Sequence, residues 1–278
     1  MDGLVIVVCA FLIILSFSIF NKISAKQIEK FGHYLIPNIC HRLVGDNVHR
    51  QINDNFRSFE QRYPKIKHHI YHNTGEEYLL KNAPPSVYEV YKAIPEEYYA
   101  ARSDLARYVI LYNEGGMYLD DKSDFKEDLF EYTRKKPDIQ LHAWRWDKPQ
   151  WTGYLNNPKG EICNWGFITV PKHFILKMTI EQLCLNAYDD PGSEGGKIAV
   201  LRTTGPLLLS SILQIYEHLD NIDINRMSDT PAEYSIFSGD RDHEGIHRPY
   251  YGTFKFPVFD TKLLPDKRKL IRELRAWN

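Results

Sequence analysis

Between Arg102 and Lys122 the chain crowds carboxylates and cations around two glycines: Asp104 and Arg107, then Gly115-Gly116, then Asp120, Asp121 and Lys122. At about 100° per residue, Asp104 and Arg107 share one face at i and i+3. Leu105, Ala106, Tyr108, Val109, Ile110 and Tyr112 cover most of the remaining circumference. A helix that is apolar nearly all round is buried, and a charge carried into that interior is very costly unless it is paired or opens on a polar cleft. An Asp104–Arg107 ion pair meets the demand structurally. A ligand site meets it and adds chemistry. Met117-Tyr-Leu119 reads as a short buried strand delivering Asp120, Asp121 and, further on, Asp124 at its carboxyl end, where open α/β sheets collect their ligands. Carboxylates there can hold a divalent cation that neutralises a diphosphate, and charge building on a departing diphosphate needs such help. Strand alternation, extended through this segment, puts Asp121 on the side opposite Asp120.

The elements that must position these groups read as alternating strands and helices, the pattern of an α/β sheet. Leu35 to Val44 suits a buried first strand, Gln51 to Arg62 a helix stopped by Tyr63-Pro64, and Ile66 to His72 a second strand. Ala100 to Tyr112 is strongly helical, and Gly115-Gly116 reverses the chain after it, glycine entering positive φ at little cost. Ile139 to Trp146 and Asn164 to Val170 read as further strands, His173 to Tyr188 and Pro206 to His218 as long helices. Asp190 to Lys197 reads as a loop, and Tyr234 to Phe237 and Thr253 to Phe259 as short β-like pieces.

Composition narrows the classes. With 278 residues, 43% hydrophobic, 26% charged and net charge −1, the chain fits one α/β domain with a real core and carries no basic stripe for nucleic acid. Cys9 lies in the N-terminal apolar run. Cys40, Cys163 and Cys184 form an odd set without C-x-x-C spacing, which argues against structural zinc and for reduced thiols. Residues 4–20 carry no charge, the low end of a bilayer span. The preceding segment lacks Lys or Arg, so a retained anchor (1–21) followed by a stem (22–34) and a domain (35–278) is expected in preference to a cleaved signal peptide. Lys22, Lys26 and Lys30 follow the apolar run and favour a cytosolic domain, a Golgi lumenal one being the alternative.

Other signals are fainter. His142, Trp144 and Trp146 alternate along a strand and suit either an acceptor face or core packing, the latter being the simpler reading. Thr204-Gly205-Pro206 opens a helix whose free N–H groups can meet a phosphate, or simply caps it. Asp242 to His247 places two histidines four apart, but Gly245 and Pro249 point to a solvated loop. Gly195-Gly196 suits a lid hinge or plain loop chemistry.

The central block Arg102-Ser-Asp-Leu-Ala-Arg-Tyr through Gly-Gly-Met-Tyr-Leu-Asp-Asp-Lys122 resembles the core of glycosyltransferase family 32, the DXD-containing sugar transferases with capsular-polysaccharide and mannosyltransferase-like members. Ile36-Pro-Asn-Ile-Cys-His41 resembles that family's opening strand, and Asn164 to Pro171 and Thr203-Thr-Gly-Pro206 resemble later elements, so the likeness covers roughly residues 35 to 215. The resemblance implies a GT-A-like fold (a Rossmann-like mixed sheet flanked by helices), a nucleotide-sugar donor, a glycan or polysaccharide acceptor and retention of anomeric configuration; the apolar run 4–20 adds an N-terminal transmembrane helix to that expectation. It assigns Asp104, Arg107 and Asp120 to catalysis, and Tyr108, Asp121, Lys122, Asn164, Thr204 and Gly205 to donor binding. Asp120 with Asp121 would hold Mn²⁺ or Mg²⁺. Lys122 stands where the second Asp of the motif belongs, so an ammonium can neutralise the diphosphate directly and the need for metal stays open. The rivals are a non-catalytic nucleotide-sugar or glycan-binding module, and a metal-dependent phosphoesterase built on Asp120, Asp121 and Asp124.

Overall fold

The computed structural model describes residues 35–45, 48–237 and 250–278. The apolar run at 4–20, the stem and the 242–247 segment lie outside the described residues. The compact unit is Leu35–Asn278. Its centre is a six-stranded sheet of β1 (Ile39–Leu43), β2 (Lys67–Tyr71), β3 (Gly116–Leu119), β5 (Leu141–Arg145), β6 (Ile162–Thr169) and β7 (Ile222–Arg226), in the order β2-β1-β3-β6-β5-β7. β1 runs parallel to β2 and β3, and β5 parallel to β7, while β6 is antiparallel to both its neighbours. The fold is therefore mixed α/β with a mostly parallel sheet. β4 (Asp124–Phe125) and β8 (Ala232–Glu233) form a separate two-stranded ribbon.

The period-two rule divides the interior between the two faces of the sheet. Met117 and Leu119 of β3 join Cys40, Ile168 and Trp144 in one apolar cluster, which Phe59 of helix α1 (Arg50–Arg62) completes. Tyr118, Phe167, Leu141 and Ala143 point the other way into the larger core. That core receives the remaining long helices, α2 (Pro85–Lys92), α3 (Tyr99–Glu114), α4 (Phe174–Asp189), α5 (Gly196–Thr203), α6 (Pro206–Tyr216) and α7 (Lys267–Ala276). Helix α3 is buried from Ala101 to Tyr112 apart from Ser103, as its apolar circumference demands. Among the described residues, the stretch Gly196–Tyr216 is long and apolar enough to cross a membrane, yet it is mostly buried within this fold. Cys40, Cys163 and Cys184 are free and buried.

Helix α3 hands the chain to β3 through two glycines with φ of +64° and +91°. A Cβ on Gly116 would stand 2.6 Å from the Ile39 carbonyl oxygen, so β3 can lie this close to β1 only without a side chain there. His41 fastens the same turn. Its Nε2–H donates to the Gly115 carbonyl at 2.9 Å, which leaves Nδ1 to accept from the Tyr71 hydroxyl at 3.0 Å. Burial pushes this imidazole down to about 3, and it stays neutral.

Several sequence expectations need correction. Asp190 to Lys197 is not loop throughout, because α5 starts at Gly196, directly behind the positive-φ Gly195. Tyr234 to Phe237 and Thr253 to Phe259 form no strands; the ribbon partner is Ala232–Glu233, and Tyr251–Thr253 is a 3-10 turn. The polar strand β7 and the C-terminal helix α7 have no counterpart in the sequence reading.

Gly116→Ala should lower unfolding stability by about 2 kcal/mol or more, from positive φ and the collision with Ile39 together. A methyl group placed on Gly153 would meet nothing within 4 Å; Gly153→Ala should leave the unfolding free energy from urea titration within about 0.5 kcal/mol of wild type. Equal effects of the two substitutions would show that close packing of β3 on β1 does not govern stability here.

Candidate active site

A cleft of about 560 Å³ opens at the carboxyl end of β3. Asp104 and Arg107 reach it from α3, Asp120, Asp121 and Lys122 from the turn after β3, and Asn164 from β6. The Arg107 guanidinium lies between two carboxylates, 3.3 Å from Asp104 Oδ1 and 3.2 Å from Asp120 Oδ1. It packs 4.7 Å from the Tyr118 ring centroid and donates to the Asn164 carbonyl at 2.6 Å. The i, i+3 ion pair read from the helical wheel thus exists, and it is also part of the cleft wall.

Asp104 is almost wholly buried and accepts from both sides: from Asn164 Nδ2 at 2.9 Å on Oδ1 and from the Thr204 hydroxyl at 2.8 Å on Oδ2. Desolvation pushes its carboxyl up to about 6 against the pull of Arg107. Tyr108 lies behind Asn164, whose Nδ2 is 3.3 Å from its hydroxyl. Thr204 likewise sits behind Asp104. The Gly205 N–H is spent on the Val200 carbonyl at 2.9 Å, and the next residue is Pro206, which has no N–H. Neither position offers a free N–H to a phosphate, and the Thr204 hydroxyl is spent on Asp104.

The turn 120–123 is held by its backbone. Arg42, fully buried against the rings of Phe56 and Phe59, donates through Nη1 to the carbonyls of Asp120 at 2.9 Å and Ser123 at 2.7 Å. The Asp120 N–H donates to the Trp165 carbonyl at 2.7 Å, and Asp120 Oδ1 accepts from the Tyr118 hydroxyl at 2.8 Å. Tyr234 docks on the far side, accepting from Lys122 Nζ at 2.9 Å and, through its carbonyl, from the Ser123 hydroxyl at 2.7 Å. Asp121 lines the same cleft as Asp120. The alternation argument fails because β3 ends at Leu119, and beyond it the chain turns. Burial and the neighbouring Asp120 push the Asp121 carboxyl up to about 6.

Among the described residues, the donors at this turn form no ready-made cage for a divalent cation. Asp120 Oδ1 already accepts from Tyr118 and faces Arg107, and Lys122 brings a second cation to the turn. Asp124 is engaged elsewhere. Arg62 grips both its oxygens at 2.7 and 2.8 Å, and Lys126 adds a third contact at 2.6 Å. Among the described residues no three His, Cys, Asp or Glu side chains converge as metal ligands. The Asp120–Asp121–Asp124 set of the phosphoesterase reading does not assemble.

Some residues that line the cleft or hold the turn beside it carry little sequence signal. Arg42 is detectable only as a charge inside the apolar run Ile39-Cys-His-Arg-Leu-Val44. Glu161 and Trp151 come from the connection before β6 and show no motif. Of the alternating trio, His142 pairs with Asp223 at 3.2 Å and Trp144 stacks on Trp165 in the core, while Trp146, just past the end of β5, faces the cleft.

Residues 49–125 match the family model described as "Glycosyltransferase sugar-binding region containing DXD motif". That segment, less than half the chain, holds Asp104, Arg107 and the turn from Asp120 to Lys122. Among solved structures, the chain is similar to the PaToxG glycosyltransferase at 15% identity and a TM-score of 0.49, over 72% of this chain and 76% of that one. It is similar also to the ligand-free glycosyltransferase domain from the YGT toxin, at 8% identity and 0.44, over 69% and 80%. No curated protein matches the chain.

Because the Asp104 carboxyl lies above its ordinary value of 3.8 in the fold, its contribution to stability is complete below that value and is lost as pH rises through about 6. Between pH 5 and pH 7.5, wild type should therefore lose about 1 kcal/mol of unfolding stability relative to Asp104→Asn, which cannot titrate. Parallel urea curves at the two pH values measure this difference; a constant gap between the proteins would contradict a raised Asp104.

Proposed function

We propose that this chain is a glycosyltransferase that moves a sugar from a nucleotide-sugar donor to a glycan or polysaccharide acceptor with retention of configuration. The observation that carries the reading is the Asp104–Arg107–Asp120 bridge, lining a cleft at the end of β3. The match of residues 49–125 supports it independently. The sheet order, with one antiparallel strand between two parallel groups, agrees with a GT-A-like domain. Residues 4–20 complete the proposal as a membrane anchor, with the domain on the cytosolic side.

In this reading the diphosphate lies over the turn 120–122. Arg107 and Lys122 meet the charge that builds on it as the glycosidic bond breaks, and they are already in place before the reaction. Asp104, held by Asn164 and Thr204, accepts hydrogen bonds from the transferred sugar. Retention follows when the acceptor hydroxyl approaches from the face the nucleotide leaves, with its proton passing to the departing phosphate. No step needs a resident metal, since fixed ammonium and guanidinium groups supply the positive charge.

Hydrolysis of a nucleotide sugar by the full-length chain, with UDP- and GDP-hexoses surveyed in turn, tests the reading. Asp104→Ala and Asp120→Ala should each reduce turnover at least about 100-fold, with far-UV spectra unchanged. Wild-type turnover should survive EDTA, and Lys122→Asp should make it depend on added Mn²⁺. Binding of the donor without any hydrolysis or transfer would instead favour the non-catalytic module.

A further inference from the structure

The cleft crosses the sheet from β1 to β6, and its two ends differ in chemistry. At the β1 end, Leu43, Val44 and Ile52 give an apolar wall. At the β6 end, Trp146, Trp151 and Lys197 surround Glu161. Glu161 is only 5% exposed. Its Oε1 accepts from the Trp146 indole N–H at 2.9 Å, while its Oε2 is buried and has no hydrogen-bond partner among the described residues. Leaving a buried carboxylate oxygen unsatisfied is costly, so its retention in a cleft wall calls for an explanation in terms of what the cleft receives.

The surrounding chain is built to hold this carboxylate in place. The Glu161 N–H donates to the Gln150 carbonyl at 3.0 Å, closing the loop that carries Trp151. Gly160, at φ +75°, permits that closure, since a Cβ there would stand 2.7 Å from the Gln150 nitrogen. Trp151 itself adopts φ +57°, a left-handed conformation uncommon for a bulky residue. Aromatic faces beside a buried hydrogen-bond acceptor match the chemistry of a hexose, which presents apolar C–H patches and outward hydroxyls. Burial raises the Glu161 carboxyl above its ordinary value, and the Lys197 ammonium pulls it back toward the charged form.

We propose that Glu161 is a specificity-determining residue for the donor's sugar, its Oε2 accepting a hydrogen bond from one hexose hydroxyl. This rests on the nucleotide-sugar reading above. The donor's sugar is favoured over the acceptor because Glu161 stands three residues before Asn164 on the same stretch of chain, and Asn164 holds Asp104, the group assigned above to the transferred sugar. The Trp146 N–H also makes Glu161→Gln a directional test. Trp146 requires an oxygen, so the amide turns its NH₂ toward the cleft and replaces an acceptor with a donor.

Calorimetric titration of the full-length chain with UDP and GDP, and with UDP-glucose, UDP-N-acetylglucosamine and GDP-mannose, measures how much the sugar adds to affinity. Glu161→Gln, and Glu161→Asp as a charge-preserving shorter variant, should weaken nucleotide-sugar binding about 10- to 100-fold. Both should leave nucleoside-diphosphate affinity within about twofold of wild type. Equal loss for nucleotide and nucleotide sugar would mean a structural role only and overturn the proposal. So would an unchanged sugar increment, including the case in which hydrolysis is intact and only transfer to an acceptor is impaired. If wild type binds none of these probes, the nucleotide-sugar reading itself falls and this assignment with it. If wild type binds them and only the variants' sugar increment fails to change, that reading stands and this assignment alone falls.

Discussion

Arg107 is a guanidinium enclosed by protein, and its surroundings are arranged to make that tolerable. Its charge is shared between Asp104 and Asp120, its face lies on Tyr118, and its remaining donors reach carbonyls of Asn164 and Ser103. An uncompensated buried charge costs several kcal/mol, so each partner must be delivered accurately. This one requirement links α3, β3 and β6, because Asp104 comes from the first, Asp120 from the end of the second and Asn164 from the third. Arginine suits the position better than lysine, since its planar fork can serve two carboxylates and a carbonyl at once.

The demand propagates outward. Asp104 can remain charged beside Arg107 only while Asn164 and Thr204 donate to it, and Thr204 is placed by the junction between α5 and α6. Asp120 depends on the Gly115-Gly116 reversal that brings β3 against β1, and on Arg42, which holds the turn after it. His41 and Arg42, adjacent on β1, face opposite sides of the sheet and secure the two ends of β3, one at Gly115 and the other at Asp120. The first strand is thus less a passive core element than a clamp on the segment that bears the site.

Much of this is legible in residue patterns because the constraints are local. From Asp104 to Tyr112, an apolar circumference interrupted by Asp104 and Arg107 specifies a buried helix with a paired charge, and two glycines before Met-Tyr-Leu specify a tight return into a sheet. What escapes such patterns depends on contacts between distant segments. Nothing near Arg42 in sequence announces the turn at 120–123, and nothing near Glu161 announces Trp146. Helix α5 is hidden because Gly195-Gly196 punctuates like a loop, although the helix starts at the second glycine. Alternation puts Asp121 on the wrong side because the two-residue period holds only within a strand, and β3 stops one residue before the motif. Thr204 and Gly205 read as phosphate donors from their place at a helix start, where the actual N–H of Gly205 is engaged by Val200.

Lys122 sits on a turn held largely through its backbone. Arg42 binds the carbonyls of Asp120 and Ser123, the Lys122 carbonyl accepts from the Ile236 N–H at 2.8 Å, and the Ser123 hydroxyl reaches the Tyr234 carbonyl. These contacts use backbone atoms on the turn or the neighbouring serine, and the Lys122 side chain adds a bond to the Tyr234 hydroxyl but none to Asp120. Under the proposed function, a lysine in place of a carboxylate would change the means of neutralising the donor's diphosphate and leave the turn beneath it unchanged. Under that function Lys122 would pair with that anion directly, and such a pair is stronger where water is excluded. In that reading the backbone of the turn, held by Arg42 and the strands around it, is what the rest of the domain is organised to keep.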